Sequence, residues 1–170
     1  EAIEKVSAND FQIRVLANTF SAYRELDYTI KTFEKGNDLL KDPNHFDYDL
    51  GYAYLQKGEL NIALDYLINF AEQNPKQVQR IKTLVQNATA KDKLLQKMEA
   101  ILYDKIQKKP NENLYPELLT WVFLQRKDFY SALIQVKALD KRNNEDGSRV
   151  LNLARMAKED KDYDIAVDAY

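Results

Sequence analysis

The side chains that could carry out catalysis are few in this sequence. His45 is the single imidazole and the chain has no Cys, which excludes a thiolate nucleophile, a disulfide and a cysteine-bound metal. Asp47 and Asp49 stand two residues apart in a predicted helix and so point in different directions, which argues against a shared metal or an acid–base pair. The four Gly are isolated and form no phosphate-binding loop. These residues predict a protein that is not an enzyme and uses no metal or cofactor.

Charge is balanced over the whole chain but uneven along it. Lys and Arg number 25 against 27 Asp and Glu, which gives a net charge of -2 and no general bias toward polyanions. Residues 76–109 carry nine basic and three acidic side chains, a local charge of +6. A solvated helix surface, an acidic protein partner and nucleic acid are the three interpretations. We favour the solvated surface and expect no nucleic acid, because the basic side chains are spread around both helices of this stretch.

The positions of the helix breakers indicate a repeat. Pro43, Pro75 and Pro110 are 32 and 35 residues apart, and each follows an apolar pattern of helical period. Such self-similarity predicts small units stacked on one another. A shift of 34 residues aligns Leu16 with Leu50, Ala17 with Gly51, Phe20 with Tyr54, Leu119 with Leu153, and Phe129 with Tyr163.

Each segment between these prolines contains two amphipathic stretches of helical period. In the clearest segment, Leu50 and Tyr54 mark the apolar face of the first helix, and Ala63 lies on that of the second. The short connection between them contains Gly58, which suits a left-handed helix cap. Gly51 is expected to face Ala63, so that the two backbones approach closely. The segment therefore predicts a pair of antiparallel helices.

These helix pairs resemble the tetratricopeptide repeat, a unit of 34 residues. The best match spans residues 44–77, with Leu50, Gly51, Tyr54, Gly58, Ala63, Leu67 and Pro75 at the signature positions. The resemblance implies an all-α fold, a right-handed superhelical α-solenoid of antiparallel helix pairs, in a single repeat domain over residues 1–170. The other units are 10–43, a degenerate 78–112, 113–146 and a truncated 147–170, and residues 1–9 are predicted to be the end of an earlier helix.

The resemblance also implies a groove for a protein segment. In this family the first helix of each pair lines a concave surface, and the family's ligand-contacting positions are carried over here residue by residue. They give two aromatic or apolar patches, one made of Tyr48, Tyr52 and Leu55 and the other of Trp121 and Leu124. A polar strip of Lys82 and Gln86 lies between the two patches, and the last unit adds Arg155. Aromatic anchors supply buried area in such a groove, and polar groups fix the register of the ligand. The alternative for Trp121 is the core, because a shift of one residue would turn it inward.

One recognition mode of this family is expected to be absent. Its chaperone-binding members grip a terminal carboxylate with Lys, Arg and Asn side chains from three consecutive repeats. Arg14 and Asn18 match the first two positions, but the remaining positions hold Asp49, Gln79 and Thr83. An acidic side chain at the third position would repel a carboxylate.

The sequence and the resemblance predict a non-catalytic scaffold for a protein or peptide partner. A substrate-recruiting repeat region of a larger enzyme and a helical-repeat RNA binder are the alternatives, and steeply salt-dependent binding of single-stranded RNA would favour the latter. No apolar run reaches the roughly 18 residues of a membrane span, so no membrane insertion is expected. The repeats look bacterial, and because the chain lacks Cys and an initiating Met, the cell envelope or periplasm is preferred over the cytoplasm. The oligomeric state stays open.

Overall fold

In the computed structural model, which describes residues 2–170, the chain folds into α-helices without a β-strand in that range. This confirms the all-α class. The helices are α1 (Ala2–Lys5), α2 (Asp10–Ala22), α3 (Leu26–Leu40), α4 (Asp47–Lys57), α5 (Leu60–Gln73), α6 (Val78–Asn87), α7 (Lys91–Lys108), α8 (Leu114–Gln125), α9 (Phe129–Asn143), α10 (Ser148–Glu159) and α11 (Tyr163–Ala169), with a 3-10 helix at Pro75–Gln77 before α6. Helix α1 lies within residues 1–9, and Glu1 is outside the described residues.

Four of the predicted pairs of consecutive helices pack as the apolar spacing predicts, all of them outside the degenerate segment 78–112. Helix α2 packs on α3, α4 on α5, α8 on α9, and α10 on α11. In the second of these pairs, α4 buries Leu50 and Ala53, and α5 buries Leu64 and Leu67. Burial of these two stripes against each other removes apolar surface from water, which is the main stabilisation available to so short a helix.

The turn inside these four pairs is the same each time. One residue of each turn has a positive φ in the left-handed region, and these residues are Arg24, Gly58, Lys127 and Lys161, with φ of 61°, 86°, 58° and 69°. In each turn the next residue donates its backbone N–H to the carbonyl five residues earlier, at 2.9 to 3.0 Å. The pairs are Glu25 to Phe20, Glu59 to Tyr54, Asp128 to Phe123, and Asp162 to Ala157.

This recurring turn gives the predicted period a structural basis. Gly58 takes the left-handed cap that the sequence predicts. The other three turns place Arg or Lys at the equivalent position, and there the tight turn is kept although a side chain with a Cβ disfavours positive φ. The period is therefore set by the helix pairs and their packing rather than by glycine.

The predicted helix ends at the three prolines are confirmed. Helix α3 ends at Leu40 before Pro43, α5 ends at Gln73 before Pro75, and α7 ends at Lys108 before Pro110. Proline lacks the backbone N–H that would continue a helix, and it also restricts the residue before it.

Gly51 lets α4 and α5 approach closely, as predicted. A Cβ on Gly51 would lie 2.7 Å from Cγ of Leu67 and 3.1 Å from the carbonyl oxygen of Ala63. Both distances are shorter than an ordinary van der Waals contact, so a larger residue at this position would push the two helices apart.

The chain divides into two compact units, one ending at Ala88 and the other beginning at Thr89. This division falls inside the third predicted repeat, residues 78–112, so that α6 belongs to unit 1 and α7 to unit 2. In unit 1, α2, α3 and α4 share one apolar cluster, which consists of Ile13, Ala17, Ile30, Phe33, Phe46, Leu50 and Ala53. In unit 2, Phe129, Ala157 and Ala166 form a smaller cluster.

No helix within residues 2–170 combines the length and the apolar character needed to cross a membrane. This agrees with the expectation of no membrane insertion.

Candidate functional site

The first predicted patch lies on the side of α4 that faces away from its buried stripe. Tyr48 and Leu55 are half-buried, and Tyr52 is 44% exposed. Their spacing of four and three residues places all three on one face of the helix. The patch therefore presents exposed aromatic surface at Tyr52, whereas the ring of Tyr48 also packs against Phe70 of α5.

The other predicted site residues are divided between the two units. In unit 1, Lys82 is half-buried and Gln86 is exposed, both on α6. In unit 2, Trp121 is half-buried on α8 and Arg155 is exposed on α10. Leu124 is half-buried and packs against the cluster around Phe129. The two predicted patches thus belong to separate compact units.

A cavity of about 410 Å³ opens beside the first patch, between α4 and α6. We call it the Tyr48 cavity; it is lined by Tyr48, Gln79, Arg80, Thr83, Leu84 and Asn87. On α6 the lining residues follow two rows at steps of four, one polar and one containing Arg80 and Leu84. Helix α6 thus lines the cavity with the neutral polar side chains Gln79, Thr83 and Asn87, with the charged Arg80 and with the apolar Leu84.

The guanidinium of Arg80 covers the aromatic floor of this cavity. Its Cζ lies 4.0 Å from the ring centroid of Tyr48 and 5.5 Å from that of Phe70. The two rings pack against each other with centroids 5.3 Å apart. A guanidinium over an aromatic face is held by cation–π attraction, which limits the motion of an otherwise flexible side chain.

Side-chain hydrogen bonds from the preceding turn also position Arg80. Asn74 donates from Nδ2 to the carbonyl oxygen of Phe70 at 3.1 Å. Gln77 donates from Nε2 to Oδ1 of Asn74 at 3.4 Å and accepts, at Oε1, a hydrogen bond from Nη1 of Arg80 at 2.8 Å. The loop that ends α5 therefore orients the cation of α6.

Arg80 differs from Arg14, Arg126 and Arg149, which pair with carboxylates, in its charge environment. Within residues 2–170 no carboxylate pairs with it, and its polar contact is the neutral amide of Gln77. Residues 73–91 contain Lys76, Arg80, Lys82 and Lys91 and no Asp or Glu. The cavity therefore presents a positive charge that no nearby acid neutralises.

The sequence prediction missed Arg80. The positions carried over from the repeat family select Lys82 on the same helix, two residues later. The available signal was the acid-free stretch around Arg80, which the prediction interpreted as a solvated surface. The contact with Tyr48 could not be found in this way, because it joins residues 32 positions apart through particular side-chain conformations.

A second cavity, of about 620 Å³, lies between α2 and α4. It is lined by Asn18, Ser21, Ala22, Arg24, Leu26 and Gln56. Its lining contains no aromatic ring, so it offers less apolar area to an anchoring side chain.

Arg14 is neutralised within the protein, which supports the expected absence of a terminal-carboxylate clamp. Its Nη1 lies 2.6 Å from Oδ2 of Asp49, and its Nε lies 3.1 Å from Oδ2 of Asp10. Asp10 and Asp49 therefore already neutralise the charge that a ligand carboxylate would pair with. Partial burial of Asp10 acts to raise the pKa of its carboxyl group. Hydrogen bonds from His45 and Arg14 outweigh this burial and hold the pKa of Asp10 below its usual value.

His45 has a structural environment. Its Nε2 lies 2.7 Å from Oδ1 of Asp10, and its Nδ1 lies 3.4 Å from Oδ2 of Asp42. Both ring nitrogens thus face carboxylates rather than a nucleophile. Residues 2–170 contain no group of three His, Cys, Asp or Glu side chains placed to hold a metal ion.

Asp47 lies in an environment that the sequence did not indicate. Asp47 and Asp49 both lie in the first turn of α4, where negative charges ordinarily favour the helix N-terminus. Asp49 instead pairs with Arg14, and Asp47 is only 1% exposed, with no hydrogen-bond partner for Oδ2. Burial, together with the nearby charge of Asp42, raises the pKa of Asp47 to about 6. Here desolvation outweighs any stabilisation from the helix N-terminus.

Comparison with known proteins does not assign this chain to a family. No protein-family model matches the chain, and no curated protein sequence matches it. The resemblance to tetratricopeptide repeats therefore stays a prediction from the residues.

Proposed function

We propose that this chain is a non-catalytic scaffold whose helix pairs form a tetratricopeptide-like right-handed solenoid, and that it binds a segment of another protein. The observation that carries the proposal is the Tyr48 cavity beside the exposed face of α4, where Tyr48 and Tyr52 offer aromatic surface. The recurrence of one turn in four helix pairs supports the repeat architecture.

Binding at this face follows from ordinary interface energetics. Aromatic side chains that are already held by neighbouring rings lose little entropy when a ligand covers them, and they contribute much of the buried area. The polar residues on α6 can pair with the backbone of an extended or helical segment, which fixes its register. Such a face needs no chemical step, only a rigid presentation of its side chains.

We expect Tyr52→Ala to weaken peptide binding by at least about thirtyfold, because it removes a central aromatic anchor. Random peptides of about 15 residues, displayed on phage, are selected on the wild-type chain. The affinities of the selected peptides are then measured by fluorescence anisotropy. Tyr23→Ala is the matched control, since Tyr23 is 78% exposed and lies outside the α4 face; it should leave the affinity unchanged.

Trp121→Ala tests the second predicted patch in the same assay, with Tyr130→Ala, an exposed tyrosine of unit 2, as its control. Both groove variants should retain the helical circular dichroism and the melting temperature of the wild type. Equal binding by Tyr52→Ala and Tyr23→Ala would contradict the proposed face. Loss of helicity in a groove variant would assign that residue to the core instead.

A further inference from the structure

We propose that the Tyr48 cavity receives a side-chain carboxylate of an acidic peptide segment, and that Arg80 is the residue that recognises it. This inference rests on the proposed function and deepens it, because it names the chemistry of the partner. It differs from a terminal-carboxylate clamp, whose first residue, Arg14, is paired with Asp10 and Asp49 inside the protein.

Arg80 has unused hydrogen-bonding capacity. A guanidinium has five N–H donors in a planar fork that matches a carboxylate. One of them is used by Gln77, and no carboxylate within residues 2–170 pairs with the group. Arg80 can therefore form a new ion pair without breaking an existing one.

Arg80 is also preorganised for binding. Tyr48 and Phe70 support the guanidinium from below, and Gln77 holds one edge. An arginine fixed in this way loses less conformational entropy on binding than a free surface arginine. Arg80 is also exposed and lines the cavity, so its side chain is available to a ligand there.

Charge complementarity favours an anionic ligand. No acidic residue occurs between Glu72 and Asp92 in the sequence, and Lys76 lies in the same stretch as Arg80. Asp49, an acid on α4, is paired with Arg14 at 2.6 Å. The local field therefore attracts an anionic segment and steers its approach.

The residues around the cavity identify the anion as a carboxylate. The cavity lining contains one cation, Arg80, and three neutral polar side chains, Gln79, Thr83 and Asn87. One guanidinium balances the single charge of Asp or Glu, whereas a phosphate dianion would call for further cations in the lining. Leu84 and the ring of Tyr48 supply apolar walls for the methylene groups of a Glu side chain.

The test uses the peptides selected on the wild-type chain by phage display. We expect them to be enriched in Asp and Glu, and we expect replacement of the critical Glu by Gln to weaken binding ten- to hundredfold. Arg80→Gln should produce a similar loss, and it should bind the Glu and Gln peptides equally. Arg80→Lys keeps the charge but not the planar fork, so an intermediate loss is expected. Lys76→Gln removes a nearby charge outside the cavity lining and should change the affinity less than about threefold.

The outcomes separate this inference from the proposed function. Selected peptides that bind the α4 face but lack acidic residues, or that bind Arg80→Gln as well as wild type, would overturn the carboxylate assignment and leave the scaffold function intact. Failure to select any peptide would contradict both. Tighter binding of a peptide with phosphoserine in place of the critical Glu would assign the cavity to phosphopeptides. Displacement of the peptide by single-stranded RNA, lost in Arg80→Gln, would assign it to nucleic acid.

Discussion

Phe46→Ala is expected to lower the free energy of unfolding of unit 1 by about 3–5 kcal/mol, the usual cost of truncating a fully buried phenylalanine. Phe46 precedes α4 and is completely buried. Its ring packs against Phe33, with centroids 5.0 Å apart, and under the guanidinium of Arg14 at 4.8 Å. Its backbone N–H donates to Oδ1 of Asn37 at 3.1 Å. Phe46 thus joins the α2–α3 pair to α4, and its loss opens a void between them.

Urea denaturation followed by circular dichroism measures this effect. Phe11→Ala is the matched control, because Phe11 is a phenylalanine of the same unit but 73% exposed; its loss should change stability by less than about 0.5 kcal/mol. Equal effects of the two substitutions would show that Phe46 does not connect the pairs.

A double-mutant cycle with Gly36 sharpens the test. A Cβ on Gly36 would lie 2.6 Å from Cε2 of Phe46 and 2.7 Å from Cγ2 of Ile13. Gly36→Ala alone should therefore destabilise the unit by overpacking. Combined with Phe46→Ala, the added methyl enters the vacated space and gains the helix propensity of alanine. The pair should accordingly be less destabilised than the sum of the single variants.

Asp47→Asn is expected to increase stability at pH 8 and to change the pH dependence of folding. In the folded state burial raises the pKa of Asp47 to about 6 from its ordinary value of 3.8. The folded state therefore holds this proton more tightly than the unfolded chain. The stability linked to it is fully present below pH 4 and is lost as the pH rises through 6. Asn has no such proton, so the stability of the variant relative to wild type should rise by about 2.5 kcal/mol between pH 4 and pH 8.

Asp10→Asn is a control of opposite sign. Hydrogen bonds from His45 and Arg14, opposed by partial burial, lower the pKa of Asp10, so its carboxylate contributes stability at neutral pH that is lost on acidification. The variant should therefore be less stable than wild type at pH 7, and the difference should shrink toward low pH. The stability difference between Asp47→Asn and wild type is the deciding measurement. If that difference is the same at pH 4 and at pH 8, the result contradicts the buried environment of Asp47.

The regular part of this fold could be predicted from the sequence because it depends on local signals. Apolar spacing places the helices, the three prolines follow their ends, and Gly58 takes the left-handed cap. The equivalent caps at Arg24 and Lys127 carry no local signal, since neither residue favours positive φ. Their positions follow only from the period, and the packing of each helix pair keeps the turn in place.

The candidate site could be predicted only in part, because it depends on contacts between distant residues. Tyr48 and Tyr52 come from the positions carried over from the repeat family, and the structure places both on one face of α4. The stacking of Arg80 on Tyr48 requires the turn around Gln77 to aim the side chain, and no periodic pattern carries that information. The burial of Asp47 was missed for a similar reason, because Asp at a helix start is ordinarily exposed.

The most direct test of the account is the position of a bound acidic peptide on unit 1. Chain labelled with ¹⁵N and ¹³C is titrated with a selected Glu-containing peptide and followed by NMR. We expect the largest shifts at the Tyr48 ring, the Arg80 side-chain N–H groups and the amides of Gln79 and Thr83, reaching saturation together. A peptide that binds while these signals stay in place, and shifts those of Asn18, Ser21 or unit 2 instead, would contradict the account.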